Sequence, residues 1–152
     1  MSAEHDQILV VDFGSQVTQL IARRIRESSV YCEIHPFNSI DASFLERFNP
    51  KGIILSGGPA SVQGVDAPAA HKSLFKLNVP ILGICYGEQT LVQQLGGDVQ
   101  ASDHREFGRA FVEIKKSCSL FENIWVPGNK YEVWMSHGDR VNTIPDGFDV
   151  VG

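Results

Sequence analysis

The chain has 152 residues, of which 43% are hydrophobic and 20% are charged, and its formal net charge is −5. That composition is typical of a globular domain, and the negative charge argues against a protein that coats nucleic acid, since such binding requires excess positive charge. No apolar run is long enough to span a membrane, residues 1–6 lack the apolar core of a signal peptide, and three widely spaced cysteines fit a reducing cytosol.

The first two thirds of the chain alternate between short apolar runs and longer amphipathic segments. The apolar runs predict strands over residues 7–12, 30–34, 52–55 and 80–84. The amphipathic segments predict helices over residues 17–25, 42–48, 68–77 and 87–95. Near-continuous apolar strands that alternate with helices are typical of an α/β fold, in which a mostly parallel open sheet is covered by helices on both faces.

After residue 97 the pattern changes to the alternation of half-buried strands, over residues 107–114 and 131–135. We therefore expect a β-rich C-terminal third whose strands are antiparallel and added to one side of the sheet. Residues 148–151 predict the start of another strand, and the sequence stops there. Because domain boundaries usually fall in polar linkers, we expect the chain to be truncated.

The strongest local motif is Gly-Ile-Cys-Tyr-Gly at residues 83–87, between a predicted strand and a predicted helix. Glycines two positions before and after Cys85 permit the sharp strand-to-helix turn of a nucleophile elbow. That turn would place the thiol at a helix N-terminus, whose partial positive charge favours the thiolate, and the backbone N–H of Tyr86 would face a developing oxyanion. A buried structural cysteine beside close-packed glycines is the alternative, and the motif alone favours neither.

A second motif is Ser-Gly-Gly-Pro at residues 56–59, directly after the third predicted strand. Ligands of doubly wound sheets bind beyond the carboxyl ends of the strands, so this loop and Cys85 are expected to meet at one edge. The loop could present backbone N–H groups to a ligand, or it could be a plain turn. A Walker-type phosphate loop is a poorer match because its lysine is absent.

The third motif is Trp-Met-Ser-His-Gly-Asp at residues 134–139. His137 could act as a base, as a ligand or as a loop residue held by backbone hydrogen bonds. A single histidine is more often structural than metal-binding, and no Cys/His pair in the sequence has the spacing of a zinc site. We therefore expect no metal site in this chain.

Together these segments resemble the class I glutamine amidotransferases, and most closely the amidotransferase domains of glutamine-hydrolysing GMP synthases. The resembling stretches are residues 8–16, 18–27, 52–59, 83–89, 105–108 and 133–139. The resemblance covers nearly the whole chain in the family's order, and it implies the flavodoxin-like fold of class I amidotransferases.

The resemblance implies a role for each matching residue. Cys85 matches the nucleophile that attacks the side-chain amide of glutamine to form a γ-glutamyl thioester, and the backbone N–H groups of Gly58 and Tyr86 match the oxyanion hole. The residues that match glutamine-holding positions are Gln89, Ser136, His137 and Gly138. On the residues alone, Gln89 could equally be a solvated glutamine on a helix surface, and Gly58 a turn glycine.

The resemblance also implies partners that lie outside residues 1–152. In the family, ammonia from glutamine passes to a synthase domain, an ATP pyrophosphatase that uses ATP and Mg²⁺ to convert XMP to GMP. That domain and the dimerisation domain are absent from this sequence, so residues 1–152 are expected to be a type-1 amidotransferase domain of a cytoplasmic, homodimeric enzyme. No cofactor, nucleic acid or membrane is expected to bind this chain.

One family feature is absent, namely the His-Pro-Glu segment that supplies the base and its orienting carboxylate. His35 and Pro36 are followed by Phe37 and precede the cysteine, so they do not match it. The domain is therefore expected to be incomplete at its C-terminus, and the isolated chain poorly active or inactive. Two alternatives stay open: a catalytically incomplete module that binds glutamine or a partner, and the amidotransferase of another biosynthetic synthase.

Overall fold

The structure is a computed structural model that describes residues 6–152, apart from the side chains of residues 102–107. In chain order its strands and α-helices are β1 (Gln7–Asp12), α1 (Thr18–Glu27), β2 (Tyr31–Pro36), α2 (Ala42–Phe48), β3 (Gly52–Leu55), β4 (Ile81–Gly83), α3 (Tyr86–Gln94), β5 (Asp98–Glu113) and β6 (Lys130–Thr143). Among the described residues, no helix has the length and hydropathy needed to cross a membrane.

The strands form two separate sheets. The first is parallel throughout and has the order β2-β1-β3-β4, with Val10 of β1 paired with Ile34 on one side and Ile54 on the other. The second is an antiparallel ribbon of β5 and β6, in which Gly108 pairs with Met135. Both the parallel sheet and the β-rich C-terminal third that the sequence predicts are therefore confirmed.

The core lies on both faces of the parallel sheet, because β1 is buried on both. Leu9 and Val11 belong to the larger cluster, which includes residues of α2 and α3. Val10 points to the other face, where it packs with Ala22 of α1 and Cys32 of β2. Helices thus cover both faces, and the carboxyl ends of β1, β3 and β4 are left to form one edge.

The helix that the sequence predicts over residues 68–77 is wrong. The structure has only a 3₁₀ turn, Lys72–Lys76, in this segment. The preceding backbone bonds instead to side chains of α3: Gln94 both accepts from the Ala70 N–H and donates to the Ala70 carbonyl, at 3.0 and 2.8 Å. The Tyr86 hydroxyl donates to the Pro68 carbonyl at 2.5 Å. These tertiary hydrogen bonds replace the ones that a helix would supply.

The C-terminal third differs from the prediction in two places. Strand β6 continues to Thr143, so the motif at residues 134–139 lies within a strand and His137 is not a loop residue. The strand predicted over residues 148–151 is absent from the described structure, where the carbonyl of Val151 accepts single hydrogen bonds from Lys115 and Lys116 and no ladder forms. Residues 1–5 and the side chains of residues 105–107, within a family-like stretch, lie outside the described part.

Gly87 provides a test of the contact between α3 and the parallel sheet. A Cβ at this position would lie 2.1 Å from the carbonyl oxygen of Leu55, and a main-chain atom cannot move aside without displacing the strand. We expect Gly87→Ala to lower the free energy of unfolding by about 3 kcal/mol, measured by urea denaturation followed by circular dichroism. Gly138→Ala is the matched control because its Cβ would meet nothing within 4 Å. Equal stability of the two variants would contradict this account of the packing.

Candidate active site

Cys85 occupies a strained turn between β4 and α3. Its φ and ψ are 53° and −115°, a conformation that costs a non-glycine residue about 1–3 kcal/mol and persists only where the surroundings impose it. Gly83 contributes to the turn, since a Cβ there would lie 2.7 Å from the Cα of Glu88. The sharp strand-to-helix turn predicted from the glycine spacing is therefore present, and its cysteine is exposed.

Cys85 lies at the N-terminus of α3 and faces a cavity of about 470 Å³. The lining comes from the loop after β3, from α3, and from both strands of the ribbon. Six of the seven residues that the sequence singles out line it: Gly58, Cys85, Gln89, Ser136, His137 and Gly138. The Cys85 Sγ lies 3.9 Å from the carbonyl oxygen of Ser136. Both residues also border a second cavity of about 530 Å³ beside residues 14–17.

Tyr86 is the exception, because its side chain points away from the cavity. The side chain is buried, its ring centroid lies 5.3 Å from that of Phe13, and desolvation raises the pKa of its hydroxyl. Only the main chain of Tyr86 can therefore serve the site. Its N–H belongs to the first residue of α3, where helix geometry provides no intrahelical acceptor.

The loop after β3 approaches Cys85 closely. A Cβ on Gly57 would lie 3.6 Å from the Cβ of Cys85, and a Cβ on Gly58 would lie 2.6 Å from the carbonyl oxygen of Phe13. The loop is fixed by Ser56, whose hydroxyl accepts from the Phe13 N–H at 3.2 Å. The expectation that this loop and Cys85 meet at one edge of the sheet is confirmed. Residue 58 must be glycine because any side chain there would collide with the main chain of Phe13.

Gln89 is not the solvated helix residue that one alternative described. It is 7% exposed, and its Nε2 donates to the carbonyl oxygen of Asp139 at 3.2 Å. The Asp139 carboxylate in turn accepts from the hydroxyl of Ser61, at 2.6 Å. Both Asp139 and Ser61 line the cavity, and sequence reasoning missed them. Asp139 ends a motif that was recognised, but Ser61 had no sequence signal.

Charge in the cavity comes from a small set of groups. Within residues 6–152, apart from the undescribed side chains, Asp139 is the carboxylate and His137 the imidazole in the lining. Glu88 stands on the first turn of α3, where desolvation raises the pKa of its carboxyl and the neighbouring His137 partly opposes that shift. No group of three His, Cys, Asp or Glu side chains in the described part is arranged to hold a metal ion.

Comparison with curated proteins gives GMP synthases among the relatives of high identity. The chain is 64% identical over 150 residues to the glutamine-hydrolysing GMP synthase of Nitrobacter hamburgensis, which covers 99% of this chain and 28% of that protein. It is 58% identical to the same enzyme of Rhizobium rhizogenes, again over 99% of this chain and 29% of that protein. The chain thus spans less than a third of the length of these curated relatives.

Solved structures agree with the sequence relatives. A crystal structure from Thermoplasma acidophilum, provisionally described as one subunit of a GMP synthase, matches 97% of this chain and 72% of that one, with 31% identity and a TM-score of 0.77. A glutamine amidotransferase of Thermotoga maritima, 19% identical, matches 93% of this chain and 64% of that one with a TM-score of 0.68, which shows a common fold. The family model for class-I glutamine amidotransferases matches residues 9–152. The chain therefore belongs to the class-I glutamine amidotransferase family.

Proposed function

We propose that this chain is the glutamine-hydrolysing part of a GMP synthase. The observation that carries the proposal is the exposed Cys85, held at positive φ at the N-terminus of α3 and facing the cavity. The thiolate is the nucleophilic form of cysteine, and this position presents the sulfur to a ligand in the cavity. The high identity to GMP synthases supports the choice of this enzyme over another synthase.

In the proposed reaction the Cys85 thiolate attacks the carboxamide carbon of glutamine. The oxyanion that forms accepts hydrogen bonds from the backbone N–H groups of Gly58 and Tyr86. Collapse of this intermediate expels ammonia, once its nitrogen is protonated, and leaves a γ-glutamyl thioester that water hydrolyses to glutamate. An amide is a poor electrophile, so covalent catalysis divides one difficult step into two easier ones.

The cavity has groups that suit the two ends of glutamine. Its volume of about 470 Å³ lies within the usual range of small-ligand pockets, about 300–1,000 Å³. We assign the holding of the substrate to four residues of the lining, Gln89, Ser136, His137 and Gly138. Asp139 would receive the α-ammonium group of glutamine. Its carboxylate accepts one hydrogen bond from Ser61, and because a carboxylate has about four acceptor sites, others remain for the ammonium group.

The catalytic base would come from residues beyond this sequence, which makes residues 1–152 an incomplete type-1 domain. Strand β4 supports this: it is three residues long, it lies at the edge of the described sheet, and Leu82 is 39% exposed, although parallel strands are normally covered. An apolar cavity of about 670 Å³ adjoins it, lined by Ile81 and Leu91 among others. A further parallel strand along β4 would cover Leu82 and this cavity. It would also bring its carboxyl end to the sheet edge near Cys85.

The remaining steps belong to the rest of the proposed enzyme. Ammonia would pass to a synthase domain that uses ATP and Mg²⁺ to aminate XMP, within a cytoplasmic homodimer. The existence of a further domain is supported by the length of the relatives, of which this chain covers about 28%.

Replacing the nucleophile tests the proposal directly. In the full-length protein we expect Cys85→Ala to lower glutamine-dependent GMP formation by at least about 10³-fold, because no covalent intermediate can form, while synthesis from added ammonium is unchanged. Cys118→Ala, which alters a free cysteine outside the cavity, is the control and is expected to keep both activities. Survival of glutamine-dependent synthesis in Cys85→Ala would refute the proposal.

Asp139→Asn tests the site of the α-ammonium group. Loss of one charged hydrogen bond, worth about 1.5–3 kcal/mol, is expected to raise the KM for glutamine by about 10- to 150-fold and to leave ammonia-dependent synthesis intact. Asp98→Asn is the control, since the Asp98 carboxylate bonds to Gln100 and Asn142 outside the cavity. An unchanged KM in Asp139→Asn would remove this residue from the substrate site.

Gly58→Ala tests the oxyanion hole. The added methyl group would force the loop away from Phe13 and displace the N–H of residue 58. We expect the kcat of glutamine hydrolysis to fall by about 10²- to 10³-fold, the usual cost of one oxyanion donor, with a smaller change in KM. Gly64→Ala, later in the same loop, provides the control, because its added Cβ would lie 3.3 Å from the Ser61 carbonyl oxygen. A wild-type kcat in Gly58→Ala would exclude this role.

A further inference from the structure

Ser56, the first residue after β3, is fully buried and is held by both its main chain and its side chain. Its N–H donates to the Val11 carbonyl at 3.0 Å, which extends the hydrogen bonding between β1 and β3 by one residue. Its hydroxyl oxygen accepts from the Phe13 N–H at 3.2 Å and from the Thr18 hydroxyl at 3.1 Å. Ser56 therefore has a fixed position at the start of the loop that approaches Cys85.

The hydroxyl proton of Ser56 has the carbonyl oxygen of Gly57 as its acceptor. The Ser56 Oγ and this carbonyl oxygen lie 3.0 Å apart. A hydroxyl group has one proton to donate and two lone pairs that accept, and the two lone pairs of Ser56 already receive the Phe13 N–H and the Thr18 hydroxyl. The bond to Gly57 therefore completes the hydrogen bonds that the Ser56 side chain can make.

The carbonyl of Gly57 determines the direction of the Gly58 N–H, because the two groups belong to one peptide unit. The residues that the structure describes contain no cis peptide bond, so this unit is planar and trans, and its C=O and N–H point in opposite directions. A carbonyl turned toward the buried Ser56 hydroxyl turns the N–H away from it. Gly58 lines both cavities that meet at Cys85.

The bond from Ser56 matters because the peptide unit that it holds lies between two glycines. Glycine populates positive and negative φ about equally, so such a unit can rotate at low steric cost. Rotation by half a turn would exchange the two groups and put the carbonyl oxygen, with its partial negative charge, on the side of the cavity. A carbonyl oxygen there would repel the oxyanion that an N–H stabilises.

We propose that Ser56 is a positioning residue for glutamine hydrolysis, whose hydroxyl holds the Gly57–Gly58 peptide unit with the Gly58 N–H toward the cavity. The inference rests on the proposed function, in which that N–H is an oxyanion donor. Ser56 is fully buried and lines neither cavity in the described structure, so it acts through the peptide unit and touches no substrate. The donor is thus oriented before glutamine binds, the condition under which oxyanion donors are most effective.

Ser56→Ala in the full-length protein tests this role, because it removes the hydroxyl and leaves the main chain. We expect the kcat of glutamine hydrolysis to fall about 10- to 100-fold, less than for loss of the donor itself, since the Gly58 N–H is still present. The KM for glutamine is expected to stay within about twofold of the wild-type value, because the lost contribution is to the transition state. Ammonium-dependent synthesis is expected to be unchanged.

Alkylation of Cys85 provides a readout that a general disturbance of the site would alter. Iodoacetamide reacts with the thiolate by displacement of iodide at a saturated carbon, and no oxyanion forms. We expect the alkylation rate of Cys85 in Ser56→Ala, followed by mass spectrometry of the peptide that contains it, to be within about twofold of the wild-type rate. Slow hydrolysis with normal alkylation would mean an intact nucleophile and a misdirected oxyanion donor.

Thr18→Val is the matched control. Thr18 is 2% exposed and belongs to the same buried cluster, where its hydroxyl lies 3.1 Å from Ser56 Oγ and 3.0 Å from Asp12 Oδ1. The change removes a buried hydroxyl and keeps the branched shape of the side chain, so it is expected to lower the free energy of unfolding about as much as Ser56→Ala does. The bond from Ser56 to Gly57 is retained, so we expect kcat to stay within about twofold of the wild-type value.

Two results would overturn the inference. One is a wild-type kcat in Ser56→Ala, and the other is an equal fall of kcat in Ser56→Ala and Thr18→Val, which would make the effect one of stability. If Ser56→Ala does not fold, Ser56→Cys decides the matter, because a thiol is a weak donor, and a wild-type kcat in that variant would count equally against the inference. A wild-type protein that hydrolyses no glutamine would instead refute the proposed function, so the two failures are distinct.

Discussion

The close approach of α3 to β3 is the constraint on which the site depends. Gly87 lies so near the main chain of Leu55 that no side chain fits between them, and this contact holds the first turn of the helix against the sheet. Strand β4 ends at Gly83, which leaves two residues in which to enter the helix. The positive φ of Cys85 follows from this short connection between β4 and α3. The strain is therefore maintained by the packing of a helix on a sheet, and local sequence preference opposes it.

The cavity is formed by segments that are far apart in sequence and meet at Asp139. The main chain of Asp139 accepts from Gln89 on α3, and its carboxylate accepts from Ser61, 78 positions earlier. The two sheets share no ladder of hydrogen bonds in the described structure, so these side-chain bonds help to set how the ribbon lies over the helix. The same residue thus combines a structural task with the proposed recognition of substrate.

Periodicity was sufficient to predict most of the fold, because β1 and its neighbours are buried on both faces and read as continuous apolar runs. It failed at residues 68–77, where Pro68 suggested a helix start but hydrogen bonds from Gln94 and Tyr86 hold the backbone in another path. That competition involves residues up to 24 positions apart, which no local pattern contains.

The candidate site was predictable to a similar extent and for a related reason. Glycine spacing around Cys85 reports a steric demand of the turn itself, so it can be read locally. The burial of Gln89 and the inclusion of Ser61 depend on where β6 crosses α3, which only the folded chain determines. The roles of the residues came from family resemblance, and the structure contributes their proximity.

The open side of β4 has a consequence for the behaviour of residues 1–152 in solution. Unpaired N–H and C=O groups along an apolar edge strand are a template for strands of other molecules, and the exposed Leu82 adds apolar surface to that template. Its length of three residues limits each such contact to a few hydrogen bonds. We therefore expect residues 1–152 to self-associate along this edge, and we expect a strand paired with β4 to prevent it.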